Sequence, residues 1–217
     1  MSTIFSKEAN KAPLKIVIAL LILGATITAG FTYYMTPKYA RVGYQPIQPV
    51  SFQHSLHAGE LGIDCRYCHS QVEKSGHSNV PATNTCMNCH NQVQVLSEKL
   101  QPVRDSFASG ESIPWVQVHQ LPDYVYFNHS VHVNRGISCF ECHGQVNEMD
   151  EVRHEKSFSM AFCLECHRNP EEKLRPLDQI TNLDWRPESK EAQLEFGNEM
   201  KEHWKVQPPT SCSGCHR

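Results

Sequence analysis

Ten cysteines fall without remainder into five copies of Cys-x-x-Cys-His: Cys65/Cys68/His69, Cys86/Cys89/His90, Cys139/Cys142/His143, Cys163/Cys166/His167 and Cys212/Cys215/His216. Two thiols three residues apart can form two thioether bonds to one porphyrin edge, and the next imidazole can reach the iron as proximal ligand. Zinc ribbons or disulfides would not need a histidine after every pair. With only 13 histidines in 217 residues, five in this register is far outside chance. The chemistry expected is covalent attachment of five c-type haems, and no catalytic residue is expected of the polypeptide itself.

Such attachment takes place outside the cytoplasmic membrane, so a segment must carry the chain there. Residues 16 to 35, IVIALLILGATITAGFTYYM, bear no charge. At about 1.5 Å per residue they span roughly 30 Å, the hydrocarbon thickness of a bilayer. Lys7, Lys11 and Lys15 precede the run, and Lys38 and Arg41 follow it. The run is long for a cleaved signal and lacks a small-x-small site after it, so the expectation is an uncleaved anchor. Tyr33 and Tyr34 suit the outer interface, and Gly24, Ala25, Thr28 and Ala29 form a small-residue face. The resulting plan is a cytoplasmic N-terminus (1–15), a transmembrane anchor (16–37) in a bacterial inner membrane and a periplasmic pentahaem domain (38–217).

The fold class follows from the crowding of motifs. Five haems in so short a domain leave too little chain for an ordinary core, so porphyrins must supply it. The 13 prolines and 11 glycines fit short helices wrapped around cofactors, with little regular secondary structure. The formal charge is −3, before haem propionates are added, and no basic stripe points to nucleic acid.

The sequence also repeats. His54, His57, Cys65, His77 and Cys86 recur as His129, His132, Cys139, His154 and Cys163, at offsets of 75, 75, 74, 77 and 77. This is the mark of a duplicated two-haem unit. The units run over 51–92 and 126–170, joined by a linker (93–125) and followed by a fifth-haem tail (171–217). In the linker, QVQVLSEKLQPVRDSF reads as a helix interrupted near Pro102, and IPWVQVHQLPDYVYF as extended. RNPEEKLRPLDQITNLDWRPE reads as a polar loop. A helix then starts at Ser189 and carries Phe196, Met200 and Trp204 at four-residue spacing, a packing stripe.

Five histidines are proximal candidates: His69, His90, His143, His167 and His216. Eight remain. A second axial imidazole would make an iron six-coordinate and low-spin. In FQHSLH and FNHSVH, histidines three apart share one face of a helical turn, so His54/His57 and His129/His132 can each serve two irons. This turn resembles the F-x-H-x-x-H turn of class III multihaem cytochromes. The resemblance implies that His54 serves the haem on Cys65 and His129 the haem on Cys139, with His57 and His132 crossing to other haems. His119 is the fifth distal candidate. His77, His154 and His203 each precede a motif by nine residues and stand as alternatives, as does Met160, which is otherwise a packing residue.

At a finer level, VPATNTCMNCH, PWVQVHQLPDYVYFNHSVHV, SMAFCLECHRNP and the terminal TSCSGCHR, which ends at Arg217, together resemble the pentahaem cytochrome c subunit of bacterial alternative complex III. That resemblance implies an electron-transfer subunit of a membrane quinol-oxidising respiratory complex. Iron–sulfur and polytopic membrane subunits would accompany it, and a monohaem cytochrome c or a terminal oxidase would accept its electrons. Two other classes fit less well. Single-helix membrane quinol dehydrogenases usually carry four haems with the first motif close to the helix, whereas Cys65 lies some thirty residues beyond it. Multihaem nitrite reductases usually replace one motif histidine by lysine, and here all five are histidine.

Overall fold

The computed structural model describes residues 9–35 and 41–216. Lys7, Lys38 and Arg217 lie outside the described residues, as does the end of the expected anchor. By its internal contacts the chain divides into one unit ending at Val42 and another beginning at Gly43.

The first unit is a 3₁₀ turn, Ala9–Lys11, followed by the α-helix Ala12–Met35. The helix begins a turn earlier than the uncharged run. Pro13 stands in its first turn, where a missing N–H has no intrahelical partner to lose. Lys15 is therefore inside the helix rather than ahead of it. The stretch Ala9–Met35 is long and apolar enough to cross a membrane, and its large apolar side chains are exposed throughout.

The second unit is all helical among the described residues, apart from two isolated bridges, Val125 to His216 and Ile137 to Leu174. Its helices are short: Cys65–Cys68, Thr83–His90, Gln101–Ser109, His129–Val133, Cys139–His143, Met160–Arg168, Lys190–His203 and Cys212–Cys215. Only eight hydrophobic side chains are buried in the described chain. Three of them, Val50, Val103 and Ile113, make a small cluster under Cys86, Met87, Leu100 and Trp115. That is a thin core for the length, as expected of a domain built around cofactors.

Pro102 does not interrupt a helix; it starts one. The helix Gln101–Ser109 has proline in its first turn and ends where Gly110, at φ 76°, donates its N–H to the Ser106 carbonyl. Upstream, Gln94 takes a positive φ of 56°, so the segment before Ser97 turns instead of coiling.

The expected polar loop after the second unit is also different. It holds two 3₁₀ turns, Pro170–Glu172 and Leu177–Gln179, and some of the most buried residues of the molecule: Leu174, Arg175, Ile180 and Leu183. Its polarity is absorbed internally. The Arg175 guanidinium pairs with Glu141 at 3.0 Å, and Gln193 Nε2 donates to the carbonyls of Glu171 (2.9 Å) and Leu174 (2.8 Å).

Ser189 caps the helix Lys190–His203 by accepting from the Ala192 N–H. The deepest positions on this helix are Gln193 and Gly197, with Phe196, Met200 and Trp204 half-buried beside them. A Cβ at Gly197 would collide with the Glu171 carbonyl oxygen, so glycine lets the helix backbone lie directly on the Pro170–Glu172 turn. Trp204 packs over Gly136, where a Cβ would come within 2.8 Å of the indole.

Candidate functional site

Each Cys-x-x-Cys pair lies on a short helix, which puts residues three apart on one face. Local capping sets several of these helices. Ser138 and Ser159 accept from the N–H groups of Phe140 and Phe162. Asp64 accepts from the Arg66 N–H (2.8 Å), its guanidinium (2.9 Å) and the Thr181 hydroxyl (2.9 Å). The Arg66 side chain beside it holds the Asp64 carboxyl down at about 2.

The two histidine turns match closely in geometry. Phe52 meets His54 edge-on at 4.8 Å and 83° and stacks on His57 at 4.3 Å and 26°. Phe127 meets His129 at 4.8 Å and 87° and stacks on His132 at 4.7 Å and 24°. His57 Nδ1 lies 2.8 Å from the Gln53 carbonyl, and His132 Nδ1 lies 2.7 Å from the Asn128 carbonyl. In each turn the phenylalanine and a carbonyl four residues back fix the ring of the second histidine. The turns differ in winding, since Ser55–Glu60 is π-helical whereas His129–Val133 is α-helical.

These rings face motif histidines across a narrow range of distances. The centroids of His57 and His90 are 6.2 Å apart, those of His132 and His167 6.2 Å, and those of His129 and His143 6.5 Å with planes within 5°. A metal–nitrogen bond of about 2 Å on each side, plus about 1 Å from each nitrogen to its ring centre, gives roughly 6 Å for two imidazoles sharing one metal. Nδ1 is engaged by a backbone carbonyl at Val93 for His90 (3.1 Å), Gly76 for His129 (3.0 Å), Pro209 for His167 (2.7 Å) and Asn79 for His69 (2.7 Å). Such bonds fix the tautomer that leaves Nε2 as the free lone pair. Among the described residues no three His, Cys, Asp or Glu side chains group to hold a metal. Opposed pairs without equatorial protein ligands suit a porphyrin, which supplies those positions itself. The residues fit the cofactor.

At His54, His129, His132 and His143 burial also favours the neutral imidazole, the form in which a ring nitrogen can bind a metal. It lowers His129 and His132, takes His54 to about 4 and, reinforced by the imidazoles of His119, His129, His69 and His154, takes His143 to about 3.

The remaining candidates are placed differently. His54 is half-buried with its Nδ1 unpartnered, and its nearest charged-form neighbours include His69. His119 meets His143 edge-on at 4.4 Å, closer than two ligands of one metal, and lies 5.2 Å from His154. Its Nε2 and the Nδ1 of His154 are both buried without a hydrogen bond, and His154 is almost wholly enclosed. His77 and His203 are exposed, and Met160 is 60% exposed at the start of its helix. His216 faces Tyr124, whose ring lies 5.9 Å away at 33°. Tyr124 was not a sequence candidate; its only sequence signal was a place in the linker entering the second histidine turn.

Comparison with known proteins agrees with this chemistry. Residues 50–104, which hold the first histidine turn and two motifs, match the family of cytochrome c7 and related cytochrome c. The multihaem cytochrome c subunit of menaquinone reductase from Nitratidesulfovibrio vulgaris is 29% identical over 126 residues, 58% of each chain. The acrylate reductase cytochrome subunit of Shewanella woodyi is 29% identical over 93 residues, 43% of this chain and 62% of that one. Cytochrome c-552 of Maridesulfovibrio salexigens is 24% identical over 197 residues, 68% of this chain and 39% of its own. The matches thus span less than two thirds of the length of these relatives. Five attachment motifs, opposed histidine pairs and a match to the cytochrome c7 profile converge: the chain is a multihaem cytochrome c, an electron-transport protein with a cytochrome c7-type domain and motifs for five c-type haems.

Proposed function

We propose that this chain is the electron-transfer subunit of a membrane quinol-oxidising respiratory complex, of the kind represented by alternative complex III. The observation that carries the reading is the opposition of His57, His129 and His132 to His90, His143 and His167 at 6.2 to 6.5 Å. Each bound haem supplies a one-electron iron couple. The chain's own residues set its coordination and, at the four haems given a second histidine below, deny substrates an open iron position. In this reading His69, His90, His143, His167 and His216 are proximal ligands and His57, His129 and His132 distal ones. His54 faces the His69 haem by analogy with its repeat partner. The helix Ala9–Met35 serves as an uncleaved anchor, with the haem domain in the periplasm of a bacterial inner membrane. Iron–sulfur and polytopic subunits accompany it, and a monohaem cytochrome c or a terminal oxidase accepts its electrons.

A second reading is favoured by a specific similarity. A relative is the multihaem subunit of a menaquinone reductase, in which electrons pass toward a quinone. Opposed imidazole pairs work in either direction.

The test is purification in mild detergent with identification of the co-purifying subunits, followed by assay of quinol oxidation and quinone reduction. The proposal expects membrane partners and quinol oxidation. Isolation of a lone chain that oxidises quinol unaided would overturn it, and activity only as a quinone reductase would select the second reading.

A further inference from the structure

Within the electron-transfer reading, the order of the motifs along the chain is not their order in space. Tyr67 of the first motif accepts a 3.1 Å hydrogen bond from Asn88 of the second, and the Cys68 thiol has Cys86 and Cys89 as neighbours. On its other side the first motif adjoins the third: the Thr181 hydroxyl donates to Asp64, the cap of the first motif's helix (2.9 Å), while the adjacent Ile180 carbonyl accepts from the Cys139 N–H (3.3 Å), with Cys65 and Cys139 as neighbours. One histidine turn then joins the third motif to the fourth, since His129 faces His143 at 6.5 Å and His132, three residues on, faces His167 at 6.2 Å. The fourth leads to the fifth: His167 Nδ1 bonds to the Pro209 carbonyl, Pro209 packs on Gly214, and Cys163 neighbours Cys215.

The contact between the first and third motifs is reciprocal. Cys65 and Cys139 are equivalent positions of the two repeated units, and they are neighbours. The Ser130 N–H of the second histidine turn donates to the Ser75 carbonyl, ten residues past Cys65. The Ser55 N–H of the first turn donates to the Met149 carbonyl, ten residues past Cys139. Equivalent residues meeting in exchanged roles are the signature of a two-fold, isologous contact, as in a symmetric dimer. The two units are therefore joined back to back through their first motifs. That arrangement pushes the second and fourth motifs outward.

We infer that the five haem sites form one unbranched row in the order second, first, third, fourth, fifth, whose ends are the Cys86/Cys89 and Cys212/Cys215 motifs. Electron exchange with one-electron redox proteins takes place at those two ends. Exposure agrees independently. Cys89 and Cys212 are exposed, and the other eight cysteines are half-buried.

The test uses the full chain in detergent, with its haems counted by the pyridine haemochrome spectrum and its irons placed by cryo-electron microscopy. Five irons whose thioether cysteines follow the stated row are expected. Five haems in any other sequence of neighbours would overturn the row and leave the electron-transfer reading intact. Fewer than five would overturn that reading too. A second measurement needs no map. A ruthenium photosensitiser attached at Asn91→Cys, beside the second motif, should promptly reduce all five haems with a sacrificial amine as donor. Removing the third haem by Cys139→Ala/Cys142→Ala should leave only two promptly reduced. Removing the fifth by Cys212→Ala/Cys215→Ala should leave four. Prompt reduction of all four remaining haems in the Cys139→Ala/Cys142→Ala protein would sink the row.

Discussion

His132 and His167 lie opposite one another, ring centroids 6.2 Å apart and planes 29° apart, although 35 residues separate them in the chain. His57 and His90, the equivalent pair of the first unit, are also 6.2 Å apart. The second histidine of each turn thus faces the second motif of its own unit. In the reading proposed above, His132→Ala leaves one ferric haem of five without its second imidazole. A gain in high-spin signal of about one fifth of total haem over the unsubstituted protein is expected in the electron paramagnetic resonance spectrum, with haem content unchanged. No gain in high-spin haem would remove His132 from the ligand set. Methionine at the same place should keep six-coordination and raise that haem's potential.

His129 should behave in the same way toward the third motif, because its ring lies parallel to that of His143 at 6.5 Å. His119→Ala should not, since at 4.4 Å it crowds His143 too closely to share a metal with it. The paired variants, compared by magnetic circular dichroism, separate the two roles. High-spin haem in both would return His119 to the distal set.

Asp64 offers a pH signature. Its carboxyl is depressed to about 2, chiefly by the Arg66 side chain, against an ordinary value of 3.8. A depressed carboxyl stabilises the fold above its unfolded value and loses that contribution as pH falls through its folded value. Asp64→Asn should therefore lower the melting temperature above about pH 4, and the difference from wild type should shrink as pH falls and vanish only below about pH 2. The partners are largely solvent-exposed, so the effect is small. Melting curves at a series of pH values with constant ionic strength check it.

Arg175 is 5% exposed, paired with Glu141 and stacked at 5.4 Å on Phe140 and 5.1 Å on Trp185. Removing one member of a buried pair costs about 3 to 5 kcal/mol. Lys173, 3.4 Å from Glu141, remains to compensate, so Arg175→Ala should lie at the low end of that range. Denaturant unfolding followed by tryptophan fluorescence reads it, and a loss under 1 kcal/mol would contradict the buried-pair description.

Gly197→Ala would drive a methyl group into the Glu171 carbonyl oxygen. Overpacking of this kind costs about 1 to 3 kcal/mol. The expected result is a lower melting temperature with five haems still attached. Serine at Asn198, on the exposed side of the same helix, is the neutral control.

Much of the chemistry was legible without a structure, because it is carried by spacing within a few residues. Cys-x-x-Cys-His places two thiols and an imidazole on one turn wherever it occurs, and F-x-H-x-x-H does the same for two imidazoles. The repeat was legible for the same reason. The segment 168–188 was misread because nothing periodic marks it. Leu174, Ile180 and Leu183 sit among charged residues and prolines, and their burial depends on Arg175 finding Glu141 and on Gln193 reaching back across the chain. Pro102 was misread because proline forbids a helix interior but favours a helix start, and only the chain before it decides which applies.

The sequence by itself determined the cofactor class, the number of attachment motifs, the apolar N-terminal helix and the duplication, since each is a local covalent or helical requirement. It left open which motif histidine each distant histidine faces, and which motifs are neighbours. Those depend on contacts between segments tens of residues apart, such as Cys65 with Cys139 and Ser55 with the Met149 carbonyl. Only the tertiary structure could decide them, because a duplicated unit can join its copy head to tail or back to back with the same residues, and the choice lies in which surfaces bury each other.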